Sequence, residues 1–434
     1  VKQGELPNGL QILASTSHAF PVVTLSLLLP AGATTESADL GGLASLTADL
    51  LESGTSTRDA ATLAEQVEGM GVRVDVSATW DWTHVGITGL RRSVQKTAVL
   101  LADLARNPVF PPSEVERVRA ERIAEISQSR ADPRGLADEA VIGTIFAPET
   151  PFSRPLGGTP ATVGRISRED AAVFHASRFS PRGATLIAAG DLDSEAVRGL
   201  ADRVFGDWGG TAPDRPEPQI RAAAGEGRVF VVDRPGSVQT ELRLGHVGVP
   251  RDTPDFFPLL VMNAILGGTF SSRLNLNLRE RHGYTYGVHS QWVMRRAPGF
   301  FSVSTAVQTD RAAAAAGEVL REIRRLQDEP VAAGELDDAR SYLAGVFPLR
   351  AQTTDGVAGR LATLAAYDLP LDYFDSYRDR ILAVTAEEVL RVARERLHPE
   401  RLTIVAVGDA RLLRSDLETL GHGPVVPFSL LEDE

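Results

Sequence analysis

The sequence predicts an α+β fold made of two homologous, duplicated domains, each a mostly antiparallel sheet flanked by helices. Its 434 residues exceed what one hydrophobic core usually supports. Two pairs of segments recur at a common offset of 218 residues. Phe179–Asp191 parallels Leu397–Asp409, carrying Thr185 onto Thr403 and ending each time in Gly-Asp, and Gly9–Leu13 meets Gly227–Val231. A repeat this long is a duplicated domain rather than a solenoid unit. Strands and helices alternate without the strict βαβ regularity of a doubly wound parallel sheet. The expected division is a first domain at 1–210, a linker at 211–227 and a second domain at 228–434.

The elements follow in order. Each half opens on a β-like run, Val22 to Leu29 and Thr240 to Val247. Val72–Ala78 and Trp80–Ile87 also read as strands, with Trp80 and Trp82 on one face that serves as core in preference to a contact surface. After Pro111-Pro112, the Ser113-x-x-Glu116 pattern is a capping box that opens a helix with Val115, Val118, Ile123 and Ile126 as its stripe. Thr211–Pro218 is rich in proline, bounded by Gly209-Gly210 and by Gly225 and Gly227, and proline denies it ladder donors. In the second half, Leu274 and Leu278 lie one helical turn apart and Gly283 is suited to the C-cap. Tyr284, Tyr286 and Val288 then alternate as in a strand.

Composition narrows the function classes. With 45 basic and 57 acidic residues the net charge is −12, which argues against sequence-independent nucleic-acid binding. There is no cysteine, so eight histidines and the carboxylates are the only strong metal ligands. The apolar stretch from Val22 to Ala33 is broken by polar residues and proline and falls short of the roughly 20 residues of a spanning helix. A start at Val1 is expected of a trimmed or processed chain, which favours a periplasmic or exported protein, with a cytoplasmic one as the alternative.

Two motifs carry the chemistry. The segment from Gly42 to Thr55 resembles the zinc helix of the pitrilysin/insulinase metallopeptidases, whose His-x-x-Glu-His places two imidazoles on one helical face with a general base between them. Here those slots hold Ser45, Ala48 and Asp49. Glu125, 76 residues after Asp49, matches the slot of the family's third ligand. No metal is expected on this chain: Ser and Asp supply no imidazole and Ala accepts no proton. A weak carboxylate site from Asp49 and Glu125 is the lesser reading, since hard cations want six or more oxygens. His18 and His84 are expected in ordinary roles. Ser45 near Asp49 lacks the G-x-S-x-G context of a serine hydrolase.

The second motif is intact. Leu266-Gly267-Gly268-Thr269-Phe270-Ser271-Ser272-Arg273-Leu274, continuing through Leu278-Arg279-Glu280 to Tyr284-Thr285-Tyr286, resembles the second-half signature of the same family. That resemblance implies that Arg279 and Tyr286, seven residues apart, reach a zinc site on an opposing domain, bind substrate backbone and stabilise the oxygen of the tetrahedral intermediate. Gly267 and Gly268 would let backbone approach a ligand. It also implies strand-wise addition of peptide substrates near Val72–Ile87, and pairing of two such chains so that four domains enclose a chamber. The expected role is the non-catalytic subunit of a heterodimeric zinc metallopeptidase, inactive alone. Its partner is a homologous subunit carrying His-x-x-Glu-His and the zinc, and its substrate a peptide or protein fragment. The alternative is a purely structural, core-type or peptide-binding subunit, and a third possibility is an independent enzyme with another mechanism.

Overall fold

Val22–Leu29 is buried on both faces, as befits a strand with neighbours and cover on every side, and it lies inside a six-stranded sheet. In the computed structural model, which describes residues 1–215, 217–223 and 227–430, that sheet contains β1 (Lys2–Glu5), β2 (Gln11–Thr16), β3 (Val22–Leu29), β4 (Arg73–Ala78), β5 (Thr83–Leu90) and β6 (Thr185–Gly190). Their order is β1-β2-β6-β3-β5-β4, and only β2–β6 is parallel. A second sheet is built from β7 (Arg228–Asp233), β8 (Gln239–Val247), β9 (Val288–Val293), β10 (Phe300–Gln308), β11 (Thr403–Gly408) and β12 (Val425–Pro427), in the order β9-β10-β8-β11-β7-β12. Five of the six strands correspond one to one, all but the edge strands β1 and β12. The parallel pair recurs one residue out of register: Gln11 lies opposite Thr185 in the first sheet, whereas its counterpart Val229 lies opposite Ile404 in the second. The duplication is therefore structural, and both sheets are mostly antiparallel.

The two compact units are not contiguous halves. One comprises Val1–Ile126, Leu156–Glu217 and Phe347–Asp375; the other comprises Ser127–Pro155, Pro218–Val346 and Ser376–Glu434. This differs from the expected boundaries because each unit takes a helix from the other half of the sequence. Helix Thr354–Ala366 packs on β3 and β6, and helix Pro133–Ile145 packs on β8 and β11. Their sequences define both starts. Thr353 caps the first through the Gly356 amide at 3.0 Å, and Asp132 caps the second ahead of Pro133, whose missing N–H costs nothing in a first turn.

Each exchanged helix is latched by an aspartate. In the first unit Asp355 accepts hydrogen bonds from Thr24 (2.7 Å) and Thr88 (2.6 Å) on the polar face of the sheet, and it pairs with Arg73. The opposite face, through Leu25, Leu27 and Ile87, is apolar and buried, and helix Val94–Arg106 packs against β3 and β5. In the second unit Asp138 pairs with Arg243 Nε at 2.5 Å; Arg243 is 3% exposed and also pairs with Glu241 at 2.8 Å.

Three local expectations differ from the structure. The helix Pro112–Ala131 starts ahead of Ser113, and Glu116 pairs with Arg119 instead of folding back to a cap. Strand β9 begins at Val288, so Tyr284 and Tyr286 precede the sheet. Of the linker 211–227, residues 216 and 224–226 lie outside the described residues, 211–215 and 217–221 have no regular structure, and Ala222 bridges to Phe146. Trp80 and Trp82 are both buried, each 7% exposed.

Burial raises the Asp355 carboxyl's pKa, but its bonds from Thr88 and Thr24 and the charge of Arg73 outweigh this and hold it below 3.8. Its contribution to stability is present above that value and is lost as pH falls through the depressed one. Asp355→Ala is expected to lower unfolding free energy at pH 7 by about 1–3 kcal/mol. In urea titrations the gap between native and variant should close as pH drops below about 4.

Candidate functional site

The second-half motif begins where helix Phe256–Asn263 widens into a π-helical turn, Ala264–Gly268. Such turns are rare and recur at functional sites. Gly267 is buried against β9: a Cβ there would lie 2.6 Å from Ser290 Oγ and 2.8 Å from the Ser290 amide nitrogen. A Cβ on Gly268 would lie 2.8 Å from the Asn263 side chain. The Asn263 amide donates to the Ser290 carbonyl at 3.0 Å and accepts from the Ser290 hydroxyl at 2.9 Å. The two glycines thus account for a close helix–strand approach within the fold.

A second π-helical segment, Asn275–Arg281, carries Arg279 in its last turn. Its inner face is fixed by Leu274 and Leu278, both fully buried, and by Asn277, which donates to Glu318 (3.0 Å) and Glu322 (2.7 Å). Arg273 beside it forms a two-pronged pair with Glu335 at 2.7 and 2.8 Å. Gly283 turns the chain at φ +64, a left-handed conformation, and its amide donates to the Arg279 carbonyl at 3.1 Å.

The chain then forms a braced turn. The Thr285 hydroxyl donates to the Gly287 carbonyl (2.8 Å) and accepts from its amide (3.1 Å), while Thr305 donates to Thr285 (2.9 Å). Asn275, 7% exposed, donates to the carbonyls of Thr269 (3.1 Å) and Val288 (2.9 Å) and accepts from the Val288 amide (3.1 Å). Tyr286 projects from this turn with 92% of its surface exposed. The Arg279 guanidinium lies 4.2 Å over the Phe270 ring, and its Nε is 3.3 Å from Glu280. Phe270 itself is 72% exposed. The second unit thus presents a phenol and a guanidinium at its surface, both donors, on a scaffold held by buried hydrogen bonds.

The first-half motif lies on helix Leu43–Leu50, followed by a 3₁₀ turn. Ala48 is buried, while Ser45 and Asp49 are half-buried. Asp49 pairs with Arg122 of helix Pro112–Ala131, and Arg122 Nη1 is 3.4 Å from Glu125. Burial raises the Asp49 pKa, Arg122 opposes that rise and Glu125 adds to it. No group of three or more His, Cys, Asp or Glu among the described residues is placed to hold a metal ion. A zinc ion does not fit here, because the slots offer no imidazole and a fixed cation already stands between the two carboxylates. His84 Nδ1 is 3.3 Å from Asp75, and His18 Nδ1 is 2.5 Å from Asp191, so both have ordinary polar partners.

Sequence reasoning missed Arg122, Phe270 and Asn275. Arg122 stands three residues before Glu125, on the same helical face, which is the signal that would have found it. Phe270 and Asn275 carry no comparable signal, because their contacts depend on how the π-helical segments bring the chain back on itself.

Residues 11–159 match the insulinase model of peptidase family M16, and residues 165–343 match the M16 inactive domain. The chain belongs to the M16, or insulinase/pitrilysin, peptidase family. It is 26% identical over 400 residues to an uncharacterized zinc protease of Mycobacterium bovis, covering 90% of each chain. It is 24% identical over 401 residues to a non-peptidase homolog of Helicobacter pylori, covering 90% of this chain and 88% of that one. The crystal structure of a peptidase M16 inactive domain from Pseudomonas fluorescens shares the fold with a TM-score of 0.88 at 23% identity, over 94% of this chain and 98% of that one. No helix among the described residues is long and apolar enough to cross a membrane.

Asn275→Ala would leave the Val288 amide without its acceptor and free the turn that carries Tyr286. A loss of about 1–3 kcal/mol in urea unfolding is expected, together with faster proteolytic nicking between 284 and 287 in the still-folded chain.

Proposed function

We propose that this chain is the non-catalytic subunit of a heterodimeric zinc metallopeptidase, contributing Arg279 and Tyr286 to peptide hydrolysis at a homologous partner's centre. The observation that carries this reading is the braced, solvent-facing Tyr286 beside the Arg279–Phe270 stack. A phenol 92% exposed adds little to the fold, yet three polar side chains, Asn275, Thr285 and Thr305, hold its turn in place. The absence of any imidazole in the first-half slots supports a chain that does not cleave peptides alone. The match of residues 165–343 to a family model described as an inactive domain is consistent with it, as is the likeness to a non-peptidase homolog.

The chemistry follows from the donor set. A substrate amide develops negative charge on its carbonyl oxygen as it becomes tetrahedral. A guanidinium and a phenol O–H aimed at that oxygen stabilise the charge without competing acceptors. Phe270 holds the Arg279 guanidinium through its π face and limits its rotamers. The partner, a chain with His-x-x-Glu-His, supplies the metal, the general base and the nucleophilic water.

The test is cleavage of a quenched-fluorescence peptide by such a partner with and without this chain. The chain alone is expected to be inactive, and the pair active. Tyr286→Phe should lower kcat/KM of the pair by roughly 10²–10³ with the melting temperature unchanged, because the hydroxyl has no hydrogen-bond partner among the described residues. Phe270→Ala should cost less, about 10-fold. A stable complex without activation would assign the chain an architectural or peptide-binding role instead.

A further inference from the structure

We infer that Arg122 is a resident cation occupying the degenerate metal site, so that zinc is excluded by the protein's own guanidinium as well as by the missing ligands. Asp49 stands in the slot of a ligand and accepts from Arg122, while Glu125 stands in the slot of another, 3.4 Å from the same guanidinium. Ser45 precedes Asp49 by one helical turn and shares its face. The positions from which a metal would be gripped thus converge on a group that is already positive.

The guanidinium has little room to withdraw. It runs along the backbone at Gly157, where an added Cβ would lie 3.6 Å from Nη1 and 3.9 Å from Cδ. Its side chain is only 23% exposed. Nor can it yield by losing a proton. A histidine or lysine in the same place would deprotonate as a metal entered, whereas arginine stays charged throughout the accessible pH range. A divalent ion set between Asp49 and Glu125 would meet this fixed charge at close range, in a half-buried setting where screening is weak. The site is therefore rewired as an ion pair, not merely stripped of its ligands.

This distinguishes two outcomes of restoring the ligands. Ser45→His with Asp49→His supplies two imidazoles on one face and retains Glu125 as third ligand. Both substituted positions are half-buried, and buried Ala48 is left untouched. With Arg122 present, that double variant is expected to bind zinc poorly, the arginine turning to Glu125 as its remaining acceptor. Adding Arg122→Gln should tighten zinc binding by at least about 100-fold, the scale on which a like charge within about 4–6 Å opposes another. The comparison is made by equilibrium dialysis against zinc and by the visible absorption of a cobalt-loaded site, with circular dichroism confirming the fold of each variant. If the double variant does not fold, Asp49→His with and without Arg122→Gln provides the same comparison at lower affinity. Equal affinities with and without Arg122 in either pair would overturn the inference.

Discussion

Each sheet is completed by a helix from the other half of the chain, and the rest of the structure depends on that exchange. A sheet buried on both faces needs two layers of cover. Within the first unit, helix Val94–Arg106 packs against β3 and β5, whose apolar face carries Leu25, Leu27 and Ile87, while Thr354–Ala366 closes over Thr24 and Thr88 through Asp355. Within the second, Ala312–Asp328 packs against β8 and β10, and Pro133–Ile145 docks through Asp138 on the buried Arg243. The latches are polar because the faces they close are polar. An apolar helix face laid on Thr24, Ser26 and Thr88 would strand buried hydroxyls. Neither half of the sequence holds all the parts of one unit, so cooperative folding must span the whole chain and form contacts of long sequence separation.

How much of this is legible in the sequence depends on what each signal specifies. The 218-residue offset specifies equivalent backbone, and the strands follow it in order but not to the residue: Gln11 lies opposite Thr185, whereas its counterpart Val229 lies opposite Ile404. Amphipathic periodicity specifies that a helix buries a face, but not against which sheet, so the exchange leaves no trace in it and the sequence predicts contiguous domains. The alternation of Tyr284, Tyr286 and Val288 is a property of any extended backbone. It does not reveal that the Thr285–Gly287 hydrogen bonds bend the chain before the ladder begins at Val288. The capping box at Ser113 failed for a related reason: the preceding prolines already let the helix start, and the Pro111 carbonyl accepts from Glu114 and Val115.

The candidate site was legible where a residue's chemistry had no structural outlet. Tyr286 is an exposed donor and Arg279 a half-buried one, and among the described residues Arg279 has a cation–π contact with Phe270 and a neighbouring carboxylate, Glu280. Gly267 and Gly268 are different. Their lack of a side chain is explained by the distances to Ser290 and Asn263, so the close approach they permit is internal. The supporting residues, Asn275 and Thr305, could not be singled out from sequence, because an asparagine or threonine declares nothing until its partners are fixed.

The two motifs therefore stand in opposite physical conditions. In the first unit the acidic residues of the degenerate motif have been absorbed by the fold: Asp49 and Glu125 share a guanidinium, and little capacity remains for an external ligand. In the second unit the polar groups that support the motif are saturated, while the phenol they carry is not. Asn275, Thr285 and Thr305 spend their hydrogen bonds on one another and on the backbone of the turn, and the Tyr286 hydroxyl faces solvent. A loop held this firmly around an idle donor has already met the entropic cost of ordering that a flexible loop would meet at the moment of binding. The bracing bonds stabilise the turn, whereas the Tyr286 hydroxyl they present adds nothing to the isolated chain. On the function proposed above, the free-energy return comes when a second molecule brings an oxygen to the phenol and the guanidinium.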